Sequence, residues 1–318
     1  MFPALLARPT GRRAKARPAG GPAAREAKQV KLYLQSIRRP VTGAGMELLV
    51  ENLPLLLALG SAGLFAGLVA GLFGIGGGAV IVPVLYFLLG GMGFDETAQH
   101  VAVATSLATI IATSSRSVMA HHKRGAVDWG VLKAWSPWIV LGALIGMVLA
   151  GFMSGRTLTI LFGGVALIIA LQFFFGRPDW RLADDLATGL PRAGLGGAMG
   201  TLSALMGIGG GTFGVSLMTM SGRPIHQAIG TAAGFGVAIG VPGAIAAIFT
   251  GWGKSGLPPG SLGYVNLPAF IMISVLTVTM APIGAALAHR LDGVVLKKAF
   301  GVLLAIVAGR MIYASIAG

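Results

Sequence analysis

The sequence predicts an all-α, polytopic membrane protein with about eight transmembrane helices, arranged as two repeats of four. Three observations support this fold class. The 318-residue chain is 55% hydrophobic and only 11% charged. Uncharged apolar tracts of about 20 residues, the length that crosses a hydrocarbon core, recur along it. The motif Gly-Ile-Gly-Gly-Gly occurs twice, at Gly74 and Gly207, each time inside an apolar tract.

The net charge of +14 could suggest nucleic-acid binding, but the positions of the basic residues argue against it. Of the 24 Lys and Arg residues, 10 precede Val41, and most others lie in short connections between apolar tracts. This distribution is typical of the positive-inside bias of membrane proteins. The chain has no cysteine, which excludes disulfides and thiolate metal sites. We expect a lipid bilayer as a partner and no nucleic acid.

The chain divides into a basic tail, two membrane regions and a linker. Residues 1–45 contain no apolar core long enough for a signal peptide, and we interpret them as a disordered cytoplasmic tail. Alternatively, translation starts at Met46. The first repeat covers 46–176, a polar linker covers 177–192, and the second repeat covers 193–318. The uncharged stretch of 52–94 is too long for one straight span, so the first helix of each repeat should break at its glycine motif.

Residues other than the glycine motifs also recur in the two repeats. The matching positions are His100–Thr105 and His226–Thr231, Gly146 and Gly284, and Phe162 and Phe300. A shared break, a shared polar motif and a shared helix pair indicate duplication. Gly-interrupted segments at matching positions are the best indication of a transporter's binding site.

The glycine breaks are the first part of the predicted substrate site. A break in mid-membrane leaves backbone N–H groups unpaired, which is tolerated where the backbone is buried in protein or lines a wet cavity. Helices that begin after such breaks present partial positive charge to an anion, and glycine lets the backbone approach it. Alternatively, the glycines only permit close helix packing. The predicted backbone donors are Gly76, Gly77, Gly78, Gly209, Gly210 and Gly211.

A polar stripe on the next helix is the second part. At about 100° per residue, Thr105, Thr109 and Arg116 share one helical face. Ser106 lies beside them, and Thr231 is the matching hydroxyl of the second repeat. These five side chains are predicted to bind substrate. The alternative is that the hydroxyls bond carbonyls of the preceding turn and that Arg116 extends to the membrane interface.

Two histidines begin matching helices. His100 and His226 could exchange protons near neutral pH and couple transport to a proton gradient. We favour the alternative that each is an interfacial anchor or a cap. We expect no metal site, because His121 and His122 are adjacent in a basic loop without a nearby carboxylate. No cofactor is expected.

At these motifs the chain resembles the TauE/SafE family of sulfite and sulfonate exporters. The similarity covers about 53–316 and rests on Gly71–Gly78 with the Pro83 segment, Ala104–Leu107, Gly207–Gly211 and Gly230–Thr231. This resemblance implies an eight-helix duplicated fold and export of sulfite, sulfoacetate or related anions across the inner membrane. Ala232 follows Thr231 where the first half has Ser106, so the second half offers fewer hydroxyls.

The predicted function is ion-gradient-coupled secondary transport, as an exporter, of a small anion such as sulfite or an organosulfonate. A passive anion channel is the near alternative. A membrane-embedded enzyme is disfavoured because every Asp and Glu lies in the tail, a loop or the end of a span. We expect the plasma (inner) membrane and a cytoplasmic N-terminus, because eight crossings then place 17 Lys and Arg inside and 5 outside. Alternatively, each broken segment is a re-entrant hairpin, which changes this parity.

Overall fold

The computed structural model describes residues 53–74, 76–175, 183 and 185–317. The predicted tail, 1–45, lies outside the described residues, as do 176–182 and 184 of the predicted linker. From Pro54 onward the chain is one compact unit, Pro54–Gly318. The boundaries assigned to the tail and the two repeats therefore stay predictions.

The described residues form ten helices and one short hairpin. In chain order they are α1 (Leu53–Phe73), α2 (Gly78–Gly91), α3 (Asp95–His122), α4 (Trp129–Ala150), α5 (Gly155–Phe175), α6 (Gly189–Met206), α7 (Gly211–Met220), α8 (Ile225–Thr250), β1 (Ser261–Leu262), β2 (Val265–Asn266), α9 (Leu267–Ala288) and α10 (Gly293–Ala317). Strands β1 and β2 are antiparallel, with Ser261 opposite Asn266. The chain is an all-α, multi-pass membrane protein.

Six described helices are long and apolar enough to cross a membrane, where the sequence predicts about eight. They are α3, α4, α5, α8, α9 and the 298–316 part of α10. Helix α1, with 21 residues of which Leu59–Phe73 is a shorter apolar part, and α2, with 14, flank the first glycine motif. Helix α7, after the second motif, has only 10 residues. The glycine motifs shorten these helices because they interrupt them.

Helices α3 and α8 lie at the centre of the bundle. They pack against each other, and α3 also contacts α2 and α9 while α8 contacts α4 and α7. In their apolar windows 78% and 67% of residues are buried inside the protein, against 28–44% in the other four candidate spans. Small residues allow this close central packing: Ala and Gly fill much of the buried face of α8.

The chain folds back at the first glycine motif. Helix α1 runs parallel to α9, since Gly63 faces Leu276 and Gly71 faces Ala281. Helix α9 in turn runs parallel to α3, as two interhelical hydrogen bonds show. Helix α2 then leads from the end of α1 to Asp95, where α3 begins. We call the end of the bundle where α3 begins end A, and the end where α3 finishes end B. Helices α1 and α2 enter and leave at end A.

The second glycine motif folds back in the opposite sense. Helix α6 runs parallel to α4, from end B, because Gly142 faces Gly197 and Gly146 faces Thr201. Helix α7 then returns to end B, where α8 begins. Matching glycines make matching contacts: Gly146 is placed against the carbonyl of Thr201, and Gly284 against that of Leu68. Leu68 and Thr201 each precede their glycine motif by six residues.

This path changes the count of crossings used to orient the chain. Eight crossings place the connections at Lys123 and Arg290 on opposite sides of the membrane. In the structure both lie at end B, because the neighbouring His121 and His289 are joined by a hydrogen bond of 3.1 Å. The assumption that the chain crosses the membrane at each glycine motif is therefore wrong, since the chain turns back there.

Helix α6 begins inside the predicted linker. The sequence places residues 177–192 in the linker, but α6 starts at Gly189 and includes Pro191 in its first turn. Proline is tolerated there because the first N–H groups of a helix have no intrahelical acceptor. The last four residues of the predicted linker therefore belong to a helix.

Candidate functional site

The two glycine breaks lie against each other and against the central helices. A Cβ on Gly78 would overlap the carbonyl of Gly207, so the start of α2 touches the second break. Gly74 faces the carbonyl of Ile229 on α8, and Gly207 faces the backbone of Val103 on α3. Gly74 and Gly207 have φ of 68° and 63°, a conformation that favours glycine. The sequence motifs therefore meet in the interior of the bundle.

The remaining predicted glycines are also closely packed. Gly77, with φ of 84°, faces the carbonyl oxygen of Ala66, which would lie 2.9 Å from a Cβ at this position. Gly210 is placed directly against Phe235 of α8. Gly209 and Gly211 are buried. Close helix packing and close approach to a ligand both require such contacts. The polar groups nearby must therefore decide between these two interpretations of the glycines.

Helix α7 begins with buried donors that have no acceptor among the described residues. The N–H groups of Gly211 and Thr212 open the helix, and the first described bond of this turn runs from the Gly214 N–H to the Gly210 carbonyl, 2.8 Å. The hydroxyl of Thr212 is fully buried and has no described partner. Buried donors without acceptors are unfavourable, and a helix start carries partial positive charge. An anion would satisfy all three groups.

Ser114 is a second buried hydroxyl at the breaks. Its side chain is fully buried without a described partner and lies between Gly76 and Gly236. The Oγ would be 2.9 Å from a Cβ on Gly76, whose φ is 71°. The stripe of Thr105 does not include this residue, which lies about 80° from Ser106 around α3. The signal that could have identified it is the Ser114–Ser115 pair one turn before the end of the apolar stretch.

The hydroxyls of the predicted stripe differ in what they contact. Ser106 donates to the carbonyl of Gly207, 2.8 Å, so it lies at the second break. Thr109 donates to the carbonyl of Thr105 four residues earlier, 2.9 Å. The Thr105 oxygen accepts the backbone N–H of Asn266, 2.9 Å. Thr105 and Thr109 thus hold backbone groups in the structure, as the alternative for hydroxyls proposes for Thr109.

Thr231 repeats the contact of Thr105 in the other half of the chain. Its oxygen accepts the backbone N–H of Asp128 at 2.9 Å, and Asp128 is the N-cap of α4. Asn266, the partner of Thr105, is the N-cap of α9. Each threonine is fully buried. The two matching threonines therefore fix the starts of the two matching helices, each in the opposite half.

Arg116 is not at the breaks. Its side chain is exposed, and the described residues give it no ion pair or hydrogen bond. Helix α3 is buried at Thr105 and Thr109 but opens to the exterior by Arg116. The shared helical face of the three residues therefore does not bring them into a shared environment.

The two predicted histidines contact helix ends. His100 Nε2 lies 3.1 Å from the carbonyl of Ala150 and 3.0 Å from that of Met153, at the end of α4. His226 Nε2 lies 3.2 Å from the carbonyl of Ala288, the last residue of α9. A carbonyl only accepts, so Nε2 carries the proton in each ring. Both histidines occupy the position of a cap.

The described carboxylates lie away from the breaks, at helix ends and connections: Asp95, Glu96, Asp128, Asp185 and Asp292. Within the described part of the chain, no three His, Asp or Glu side chains are grouped so that they could hold a metal ion. A groove of about 740 Å³ between α3, α4 and α8 is apolar and includes none of the predicted site residues. The acidic side chains and this groove therefore lie apart from the two breaks.

Comparisons with known proteins agree with a transporter architecture. The family model described as "Sulfite exporter TauE/SafE" matches residues 59–311. A "Probable membrane transporter protein" of Haemophilus influenzae is 35% identical over 250 residues, which cover 78% of this chain and 95% of the relative. A relative of the same description from Methanocaldococcus jannaschii is 24% identical, covering 76% and 88% of the two chains. No solved structure significantly matches this chain.

Proposed function

Since the chain belongs to the sulfite exporter TauE/SafE family, we propose that it is a secondary transporter that exports a small anion such as sulfite or an organosulfonate. The names of its relatives describe membrane transporters and no enzymes. The sequence carries no nucleotide-binding motif, so an ion gradient is the proposed source of energy. The plasma membrane is the proposed location.

The donors at the start of α7 carry this proposal. The N–H groups of Gly211 and Thr212 and the Thr212 hydroxyl are buried and find no acceptor in the part of the chain that the structure describes. An oxyanion has several acceptor oxygens in a small volume, and charged acceptors form the stronger class of hydrogen bond. The Ser114 hydroxyl and the glycines of the first break would complete the site from the other half of the chain.

We also propose that the fold is an inverted duplication, in which each half contributes a folded-back helix pair and three spans. Support comes from the pairs of matching contacts: Thr105 with Asn266 and Thr231 with Asp128. The two helix pairs enter from opposite ends, as in transporters whose repeats have inverted topology. In such folds the substrate binds where the two broken segments meet.

We propose that end B faces the cytoplasm. Among the described connections, those at this end include Lys123, Arg124, Arg192, Arg223 and Arg290, whereas those at end A include Arg156 and Lys254; the ten Lys and Arg before Val41 are outside this count. The positive-inside bias favours the richer end. Helix α1 begins at end A, so this orientation disagrees with the cytoplasmic N-terminus expected from eight crossings.

The absence of cysteine from the sequence allows a direct test of orientation. Single cysteines at Met92, near end A, and at Lys123, near end B, are treated in intact bacteria with a membrane-impermeant maleimide. We expect labelling of Met92→Cys alone. Labelling of Lys123→Cys alone would reverse the proposed orientation.

Substitution of Thr212 tests the substrate site with little change in shape. Thr212→Val removes the hydroxyl and keeps the branched side chain, while Thr212→Ser keeps the hydroxyl and serves as the control. We expect Val to weaken sulfite binding about tenfold or more, the loss of one hydrogen bond to a charged group, and Ser to change it little. Binding is measured by calorimetry on purified protein, with sulfate and a short sulfonate as further probes.

Equal affinity in Thr212→Val and wild type would remove this site. Gly210→Val is a weaker test, because the added side chain would collide with Phe235 whatever binds there. Transport itself is tested in proteoliposomes: sulfite accumulation against its own gradient, driven by an imposed ion gradient, is expected. Flux that only dissipates the sulfite gradient would instead indicate a passive channel.

A further inference from the structure

Three histidines from three different segments meet at end B. His121, near the end of α3, is joined to His289, just after α9, through Nδ1 and Nε2 at 3.1 Å. The ring of His226, at the start of α8, stacks on that of His289 with centroids 5.2 Å apart and planes 18° from parallel. We call these three residues the histidine cluster. His226 matches a sequence prediction, but its two neighbours come from other segments of the chain.

The hydrogen bonds fix where the protons are in the neutral cluster. His121 Nε2 lies 3.1 Å from the carbonyl of Gly71, and a carbonyl only accepts, so this nitrogen carries a proton. In a neutral ring His121 Nδ1 is then the acceptor. His289 Nε2 must donate to it, which leaves His289 Nδ1 with a free lone pair. His289 is only partly buried, so this lone pair is the entry point of the cluster.

A proton can pass through this pair without other reactants. It adds to His289 Nδ1, forming an N–H bond there. The Nε2–H bond of His289 breaks as its proton moves to His121 Nδ1. His289 ends as the neutral Nδ1–H tautomer, and His121 becomes the cation with both ring nitrogens protonated. One positive charge has then moved from the partly exposed ring to the buried one.

The buried end of this pair is close to the glycine breaks. The acceptor of His121, Gly71, stands three residues before Gly74 on α1. Along α3, His121 is seven residues from Ser114, which touches Gly76; at about 1.5 Å per residue the separation is about 10 Å. Charge at His121 is therefore placed beside the first break.

We propose that the histidine cluster binds one proton, through His289 and His121, and that this proton is linked to anion binding at the glycine breaks. The proposal rests on the anion site of the proposed function and names its coupling ion. It differs from coupling through His100, which contacts Tyr264 and no other histidine.

The charged and titratable groups around the cluster determine how tightly it holds its proton. The positive guanidinium of Arg124 and the imidazole of His226 face the cluster. Arg290 and Asp292 lie on the connection after His289. Burial, followed by His226 and Arg124, lowers the pKa of His289, so the proton is held weakly when no anion is present. A singly charged anion at Ser114, about 10 Å from His121, would stabilise a proton on His121 by an amount equal to about tenfold in affinity at an effective dielectric constant of about 20.

Nuclear magnetic resonance tests the proton site independently of transport. The chain has five histidines, so ¹⁵N-histidine labelling of the protein in nanodiscs gives few signals. Between pH 4 and 8 we expect the His121 and His289 signals to change together, as one shared proton. His289→Gln should alter the His121 titration, whereas His122→Gln should not, because His122 bonds Trp129 outside the cluster. Independent titration of the two rings would overturn the relay.

Binding and flux test the link. Sulfate is the probe, because its charge does not change over this range of pH. We expect wild type to bind sulfate about tenfold more tightly at pH 5.5 than at pH 7.5, and His121→Gln to lose this difference while His122→Gln keeps it. In proteoliposomes, flux of a short sulfonate, whose charge is also fixed over this range of pH, should move protons in wild type but not in His121→Gln. Proton movement that persists in His121→Gln overturns the link. Absence of all sulfite flux and sulfate binding would contradict the proposed function. In that case the resonance measurement still decides whether the proton site exists.

Discussion

His100 and His226 occupy matching positions in the two halves and show what the halves share. Each lies in the first two turns of a central helix and donates Nε2–H to the last residue of the next long span, Ala150 at 3.1 Å and Ala288 at 3.2 Å. Each also stacks on a ring, at 5.0 Å for His100 and 5.2 Å for His226. The covering ring is Tyr264 in one case and His289 in the other. The halves have kept the shape of the cap while differing in its chemistry.

The two covering rings give the caps the same shape but different proton chemistry. Burial raises the pKa of Tyr264, so the ring over His100 stays neutral at physiological pH. Burial lowers the pKa of His289 below its ordinary value of 6.5. A function that needs a titrating partner can use only the second half. Matching residues in a duplicated chain therefore need not have matching roles.

The largest effect is expected when the His100 cap is removed. His100→Leu removes the ring donor from two carbonyls, that of Met153 and that of Ala150, which keeps the Met153 N–H at 3.1 Å, whereas His226→Leu removes one donor in a less buried place. We expect a loss of about 3 kcal/mol in the free energy of unfolding for His100→Leu and about 1 kcal/mol for His226→Leu. Reversible unfolding in mixed detergent measures both. Equal losses would mean that the second carbonyl contact contributes nothing.

The two threonines test whether the halves are energetically alike. Thr105→Val and Thr231→Val each leave one backbone N–H without an acceptor, that of Asn266 or Asp128. We expect about 1–3 kcal/mol for each, with a difference of no more than about 0.5 kcal/mol, and little change for the Thr→Ser controls. A large difference would show that matching geometry hides unequal packing.

The third prediction concerns pH and should be smaller. Because the pKa of His289 is below its ordinary value of 6.5, the unfolded chain binds more protons between that lowered pKa and pH 6.5. The contribution to stability is complete above pH 6.5 and falls as pH decreases through this window. In His289→Gln we expect a weaker decrease of melting temperature between pH 7.5 and 5, measured against His122→Gln. An unchanged slope would contradict the lowered pKa.

The smallest effect is expected at Arg116, whose matching position in α8 is Pro242. The arginine is exposed and has no described partner, so Arg116→Gln should change the free energy of unfolding by less than about 0.5 kcal/mol. The same variant should bind sulfite with nearly wild-type affinity. A tenfold loss of affinity with unchanged stability would return Arg116 to the substrate path.

Much of the local structure could be predicted from the sequence. Uncharged apolar length indicated the membrane class, and the glycine motifs marked the interruptions, with α1 ending at Phe73 and α7 beginning at Gly211. The direction of the chain after each motif could not be predicted. It depends on which helix α1 packs against, and that is decided by the close contact of Gly71 with Ala281, more than 200 residues away in sequence.

The candidate site was predicted in part for a similar reason. Ser106 lies at the second break, because the carbonyl that accepts its hydroxyl is that of Gly207. Ser114 and Thr212 were missed, because helical periodicity compares residues within one helix. The pocket of Ser114 is formed by Gly76 and Gly236, which belong to other segments. The histidine cluster likewise needs three separate segments to meet.

The contact between α1 and α9 has a mechanical consequence. Gly71 and Gly284 bring the two backbones together so closely that no side chain separates them, and such contacts add dispersion and weak Cα–H···O interactions along the whole crossing. Separating the two helices would break all of these contacts at once, so we expect α1 and α9 to move together as a rigid pair. His121 is hydrogen-bonded to this helix pair at the Gly71 carbonyl. A change of charge on that imidazole is felt by two helices together, one of which leads directly into the first glycine break.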